Sequence, residues 1–176
     1  MKARFLALAL FGSLMLAFGA IAAGCDGNGG GDALTLEEFF QRVQELDNDF
    51  EAKAADLGAQ AEGLTEESSV DEAVALFRQQ VGLIEEFVTN LDALEAPPEA
   101  ADLVEEAVSA GNEAETALND AIDEASDAET LDELFAVFAA PEVEAAFTRF
   151  DQVCLDAEQL AADNDITVDL NCEEDE

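Results

Sequence analysis

The sequence contains no histidine, no tryptophan and no tyrosine, and both of its methionines, Met1 and Met15, stand near the amino terminus. Without histidine, no histidine-based catalytic triad can form, the usual haem ligands are missing, and a zinc or copper site would have to use carboxylates. Phenylalanine is the one aromatic residue type left to contact a sugar ring. A carboxylate pair remains a catalytic alternative, yet no pair stands out among so many acids. We therefore expect no enzymatic activity, no metal site and no cofactor.

Basic residues are also scarce. The 176 residues carry 6 Lys and Arg against 43 Asp and Glu, which gives a formal net charge of -37. A field of this sign repels phosphate at distances beyond a screening length of about 8 Å, so we expect no nucleic acid partner and no anionic head groups as ligands. Two interpretations of the acidity remain open: adaptation to a salty medium, or binding of cations or a basic ligand.

The densest acidic stretch repeats at helical spacing, and its members are Asp120, Asp123, Glu124 and Asp127. Like charges at these spacings repel each other by a few tenths of a kcal/mol per pair, so bound cations would weaken this repulsion and stabilise the helix. A calcium site is the sharper alternative, but calcium takes about six to eight oxygen ligands, and carboxylates on one straight helix do not enclose it. A solvated helix face is the expectation.

The first 24 residues differ in composition from the rest, because every acidic residue lies at Asp26 or later. Lys2 and Arg4 are followed by an apolar run over residues 5–23, as in a secretory signal peptide. A run of this length could also nearly cross a hydrocarbon core of about 30 Å, so an uncleaved membrane helix and free secretion after ordinary cleavage are the alternatives. Small residues close the run, and a cysteine follows them.

The segment Ala22-Ala23-Gly24-Cys25 resembles the lipobox of bacterial lipoproteins, with Ala22 where that family usually has Leu. The resemblance implies that the Cys25 thiol is lipidated and that residues 1–24, the signal peptide, are removed by cleavage before it. It also implies a lipid-anchored protein on the extracytoplasmic face of the cell membrane. Asp26 would then act as an inner-membrane retention signal in a two-membrane envelope.

Residues 25–34 are expected to form the lipidated cysteine and a glycine-rich tether, and residues 35–176 an acidic helical domain. The tether, over residues 26–33, reaches at most about 28 Å and would hold the domain close to the membrane. An alternative is an EF-hand-like loop, whose ligand positions would be Asp26, Asn28, Gly31 and Glu37. Against it, Gly30 occupies a ligand position and no helix precedes the loop.

From Thr35 onward, apolar residues recur every three or four positions, which predicts amphipathic helices. Thr35 with Glu38, and Ser69 with Glu72, match the capping box that begins a helix. Pro97 and Pro98 end the second predicted helix, and Pro98 is expected in the first turn of the third, whose apolar stripe is mostly alanine and should pack closely. A fourth segment begins at Thr130 and is broken or kinked at Pro141. Four such segments with short connections predict an all-α antiparallel four-helix bundle.

The hexapeptides at residues 35–40 and 130–135 look alike, which raises the possibility of a duplicated hairpin. Any capped amphipathic start has the same appearance, and this simpler explanation is the expectation.

Two cysteines, Cys154 and Cys172, remain if Cys25 is lipidated, and an even pair in an oxidising compartment predicts a disulfide. The pairing requires the tail to return along its own helix, and alternating Ile166, Val168 and Leu170 predict a half-buried extended segment that covers the helix flank. Reactive or metal-binding thiols are the rival interpretation, which lacks a CxxC spacing and a nearby histidine.

Together these features predict a non-enzymatic, lipid-anchored envelope protein that serves as an interaction or scaffold module, with the membrane and an unidentified protein as partners. The alternative is an extracytoplasmic binding module for cations or a basic ligand.

Overall fold

The computed structural model describes residues 34–65, 68–170 and 172. The predicted signal peptide, Cys25 and the tether up to residue 33 lie outside these residues. Five helices make up the described chain: α1 Leu36–Glu62, α2 Val70–Asp92, α3 Ala101–Ala125, α4 Leu131–Phe138 and α5 Pro141–Asp163. The described ranges contain no strand, so the predicted all-α class is confirmed.

Two helices begin at the capping boxes that the sequence predicts. The Thr35 hydroxyl accepts the N–H of Glu38 at 3.2 Å, and the Glu38 carboxylate accepts the N–H of Thr35 at 3.0 Å. Ser69 and Glu72 make the same reciprocal pair at the start of α2. At the start of α4, the Thr130 hydroxyl accepts the N–H of Glu133. The Glu133 carboxylate accepts the N–H of Glu129, and not that of Thr130.

Prolines set two helix boundaries. The start of α3 differs from the sequence expectation, whereas the predicted break at Pro141 is confirmed. Helix α3 begins at Ala101, three residues after the predicted Pro98, because the Ala100 N–H donates to the carbonyl of Pro97 at 2.9 Å and closes a separate turn. The fourth predicted segment is two helices, because α4 ends at Phe138 and Pro141 occupies the first turn of α5, where its missing N–H costs no intrahelical bond. The described chain therefore has five helices where four were expected.

Helix α3 packs against both α2 and α5, while α1 packs against α2 and the short α4 against α2 and α3. One buried cluster joins α2, α3, α4 and the start of α5, and includes the stacked rings of Phe77 and Phe138. A second cluster, at the other end, gathers Phe39, Phe40 and Leu91 with Leu170 of the tail. Both ends of the molecule therefore have an apolar core.

Small residues line the buried face of α3, as the alanine stripe predicts: Ala110, Gly111, Ala114, Ala121 and Ala125 are all buried. At Gly111 helices α2 and α3 lie close together, since a Cβ added there would overlap Cγ2 of Val88. The ring of Phe150 in α5 would lie at 3.7 Å from the same Cβ. A glycine at this position lets three helices meet.

Helix α5 ends in a Schellman motif, which turns the chain back along the helix. The N–H of Ile166 donates to the carbonyl of Ala161 at 2.9 Å, and that of Asp165 to Ala162 at 3.1 Å. Asp165 has φ of 57°, the left-handed conformation that usually requires glycine. The reversal aims the tail at the α5 flank.

None of the helices in the described ranges combines the length and the apolarity needed to cross a membrane.

Candidate functional site

The tail is fixed to the domain at both ends of its course. Cys154 and Cys172 are joined in a disulfide with their Cα atoms 5.5 Å apart, so the structure brings together the two predicted cysteines. Leu170 is buried, its N–H donates to Oε1 of Glu158 at 3.0 Å, and Gln44 of α1 donates to the carbonyl of residue 169 at 3.1 Å. The tail therefore connects the last helix with the first.

The predicted alternation along the tail is confirmed. Ile166 and Val168 are half-buried and Leu170 is buried, whereas Thr167 and Asp169 between them are exposed. The three apolar side chains pack into the second core cluster. The extended tail thus covers an apolar flank of α5, as the sequence indicates.

A wide groove of about 980 Å³ opens at the end of the molecule where α1 ends and where α2 and α4 begin. We call it the end groove. Its apolar surface comes from α2, α4 and the connection after α1, and includes Leu64, Val70, Leu76, Phe77, Leu131 and Phe135. The Leu76 and Phe77 side chains are buried and the other four are half-buried, so the groove exposes apolar surface to solvent. We call these six side chains the floor of the groove.

Four exposed carboxylates line this groove. Glu62 and Asp71 belong to α1 and α2, and Glu129 and Asp132 lie at the start of α4. No lysine or arginine occurs among the described lining residues. The end groove is therefore apolar at its base and negative along its edges.

The ion pairs of Lys53 and Arg149 lie outside the end groove. Lys53 of α1 contacts Asp49 at 2.7 Å and Glu86 of α2 at 2.8 Å, and the hydrogen bonds that its ammonium group donates to these two carboxylates raise the pKa of Lys53. Arg149 of α5 pairs with Glu113 of α3, and that hydrogen bond raises the arginine pKa. The Lys53–Glu86 and Arg149–Glu113 pairs join neighbouring helices, and none of these ion pairs involves a groove carboxylate.

Side chains of the protein itself cap the two helix starts in the end groove, which disfavours an anion there. The hydroxyls of Ser69 and Thr130 already accept N–H groups of the first turns of α2 and α4. The carboxylates of Glu72 and Glu133 accept two further N–H groups, at 2.8 and 2.9 Å. Two N–H donors at each helix start are thus satisfied within the chain, and the carboxylates of Glu72 and Glu133 already lie at the positive dipole ends.

A second, smaller cavity of about 70 Å³ lies among α1, α2, α3, α5 and the tail. Its lining is almost wholly apolar, and its volume corresponds to about two water molecules at ~30 Å³ each. Ligand sites in proteins measure about 300–1,000 Å³, so this space is a packing defect and not a ligand site.

The remaining predicted residues that fall within the described ranges do not come together in one site. Asp120, Asp123, Glu124 and Asp127 are all exposed. Within residues 34–65, 68–170 and 172, no group of three or more cysteine or acidic side chains could hold a metal ion. Of the EF-hand-like positions, Glu37 is exposed in the first turn of α1, and the other three lie outside the described residues.

The sequence patterns did not predict the end groove. A signal was present, because the starts of α2 and α4 each place an acidic residue beside an apolar one, Val70-Asp71 and Leu131-Asp132. What the sequence does not give is the meeting of these two starts with the end of α1 on one side of the fold.

Comparisons with protein-family models, with curated proteins and with solved structures give no match for this chain.

Proposed function

We propose that the protein is exported, lipidated at Cys25 and held on the extracytoplasmic face of the cell membrane, where it acts as a non-enzymatic interaction or scaffold module. The observation that carries this proposal is the disulfide between Cys154 and Cys172. Structural disulfides belong to oxidising compartments, which supports export from a reducing cytoplasm. The pairing also leaves Cys25 as the odd cysteine, at the end of an apolar run.

Lipid, and not protein surface, would supply the attachment. Each buried methylene of an acyl chain contributes about 0.8 kcal/mol, so one chain binds marginally and two or more hold a protein durably. The domain itself is unsuited to membrane contact, since its net charge repels anionic head groups. The short glycine-rich tether would keep that domain within about 28 Å of the bilayer.

The non-enzymatic part of the proposal is supported by the residue inventory. A chain without histidine lacks the commonest general acid and base, and the remaining choice is a pair of acids with strongly shifted pKa values in a cleft. The acids of the end groove are all exposed. An interaction role requires none of these features.

We also infer that α1, α2, α3 and α5 form an antiparallel four-helix bundle. Two contacts support opposite directions for α1 and α2. The Phe50 and Phe87 rings lie 5.6 Å apart, and Lys53 pairs with Glu86. A step forward along α1, from Phe50 to Lys53, thus corresponds to a step backward along α2, from Phe87 to Glu86. Consecutive long helices with short connections favour the same arrangement. Nuclear Overhauser contacts between these pairs would be lost in a parallel alternative.

The decisive experiment on anchoring is intact-mass analysis of the membrane fraction, with and without thiol alkylation. The wild-type chain should lack residues 1–24 and carry the mass of its acyl groups, with no alkylation until it is reduced. Cys25→Ser should abolish the acyl mass and move the protein to the soluble fraction. The matched control, Cys154→Ser with Cys172→Ser, should remain membrane-bound; an unchanged distribution of Cys25→Ser would refute the anchor.

A second candidate function is binding of cations or a basic ligand, which the acidic end groove favours. Titration calorimetry with calcium, magnesium and a polycation would test it. Saturable heat at physiological salt supports specific binding, whereas heat that disappears with salt alone is ionic screening and counts against it.

A further inference from the structure

We propose that the end groove binds a basic amphipathic helix of a partner protein, that is, a helix whose apolar face is flanked by lysine or arginine. This inference rests on the interaction role proposed above and specifies the chemistry of the partner. The juxtaposition that carries it is an apolar floor between two acidic edges, at the meeting of α1, α2 and α4.

The floor suits apolar anchors. Leu64, Val70, Leu131 and Phe135 are half-buried around the buried Phe77 ring, and the Phe135 ring stands edge-on to it at 6.4 Å. A helix that lies in a groove inserts side chains from successive turns into such a surface. The volume of about 980 Å³ is at the upper end of what small ligands occupy, and it suits several side chains of a helix face.

The acidic side chains at the edges of the groove favour a positively charged partner helix. Glu62 and Asp71 flank the floor from α1 and α2, and Glu129 and Asp132 flank it from the α4 side. Cations on both margins of one apolar stripe are the pattern of a basic amphipathic helix, so such a helix would meet a carboxylate on each side.

Other occupants fit less well. A second copy of this chain would bring a net charge of the same sign, which disfavours self-association. Anions find the starts of α2 and α4 already capped by Glu72 and Glu133. Anionic lipid head groups are repelled for the same reason as nucleic acid.

The test uses the full-length chain, in phosphatidylcholine nanodiscs or, if it proves not to be acylated, in buffer. The probe is a fluorescent leucine–lysine peptide of about 18 residues, five turns of helix with one leucine face. Its controls are a scrambled peptide of the same composition, polylysine, and an analogue with every lysine replaced by glutamate. Fluorescence anisotropy at physiological salt should show saturable binding of the amphipathic peptide, at least about tenfold tighter than binding of any control.

Two charge variants locate the site. Glu62→Gln with Glu129→Gln removes one carboxylate from each side of the groove and should weaken binding by roughly 2- to 30-fold, as expected for two exposed pairs. Glu85→Gln with Glu105→Gln makes the same change of net charge at exposed positions outside the groove, and should change binding less than twofold. Leu131→Gln, with folding checked by circular dichroism, should weaken binding through the floor.

Equal weakening by the two charge variants, or equal binding of polylysine and the amphipathic peptide, would overturn the inference, because attraction would then depend on net charge alone. Failure of the anchor is distinguishable from failure of the groove. A wild-type chain that carries no acyl mass and still binds the peptide refutes only the anchor, and an acylated chain that does not bind the peptide refutes only the groove.

Discussion

Replacement of Gly111 by alanine should destabilise the protein, although alanine is the better helix former. Within a helix, a change from glycine to alanine normally gains about 1 kcal/mol. At residue 111 the new Cβ would overlap Cγ2 of Val88, whose branched side chain has one strongly preferred rotamer in a helix. Overpacking of a tight core costs about 1–3 kcal/mol, so we expect a net loss of up to about 2 kcal/mol.

Gly82 provides the matched control, because it lies in the middle of α2, is exposed, and has nothing within 4 Å of an added Cβ. Gly82→Ala should therefore stabilise the protein by about 1 kcal/mol. A third measurement uses a double variant. In a Val88→Ala background the obstructing methyl is gone, and Gly111→Ala should again stabilise.

The assay is urea denaturation followed by far-ultraviolet circular dichroism, since a chain without tryptophan or tyrosine offers no useful intrinsic fluorescence. Thermal melting gives an independent check, with about 2–4 °C expected for each kcal/mol in a domain of this size. If Gly111→Ala stabilised as much as Gly82→Ala, the close contact between α2 and α3 would be refuted, together with the packing described for the centre of the molecule.

Further predictions concern the tail, the caps and the charge. Replacement of Cys154 and Cys172 by serine should lower the free energy of unfolding by about 3 kcal/mol, as expected for a loop with a sequence separation of 18, and reduction should do the same in urea denaturation of the wild type but not of the variant. Asp165→Gly should raise the free energy of unfolding by up to about 1 kcal/mol, because glycine adopts the left-handed backbone conformation without strain and the change removes a negative charge from the carboxyl end of α5. An unchanged midpoint of urea denaturation would contradict the Schellman motif. Hydrogen bonds from the backbone and then the hydroxyl of Thr35 lower the pKa of Glu38 from its ordinary 4.5, so this group stabilises the fold above pH 4.5 and loses that effect as pH falls through the lower folded pKa. Glu38→Gln should accordingly reduce the loss of stability between pH 6 and pH 3, measured by denaturation at each pH. Added salt should raise the melting temperature, because it screens the repulsion within a chain of net charge -37.

The helices could be predicted from the sequence wherever the signal is local. A capping box involves residues three positions apart, so the starts at Thr35 and Ser69 follow from the sequence. The start of α3 could not be placed in the same way. Pro98 is suited to a first helical turn, but the Pro97–Ala100 hydrogen bond closes a separate turn before the helix begins.

The likeness of the hexapeptides at 35–40 and 130–135 shows how far a local signal reaches. Both start a helix, but α1 runs for 27 residues and α4 for 8, and the two cap geometries differ. The difference arises downstream, where Pro141 starts a new helix after α4. The likeness describes a helix start and says nothing about the element that follows.

The sequence by itself determined the acidity, the all-helical class, the capped starts and the candidate cysteine pair, because these depend on composition or on residues near one another in the chain. Tertiary structure alone decided that Gly111 lies under Val88, that the tail reaches Gln44, and that the ends of three helices enclose an apolar floor between acidic edges. Such features join residues tens of positions apart. They depend on which faces pack together, and hydrophobic burial, which drives the packing, has no preferred direction along the chain.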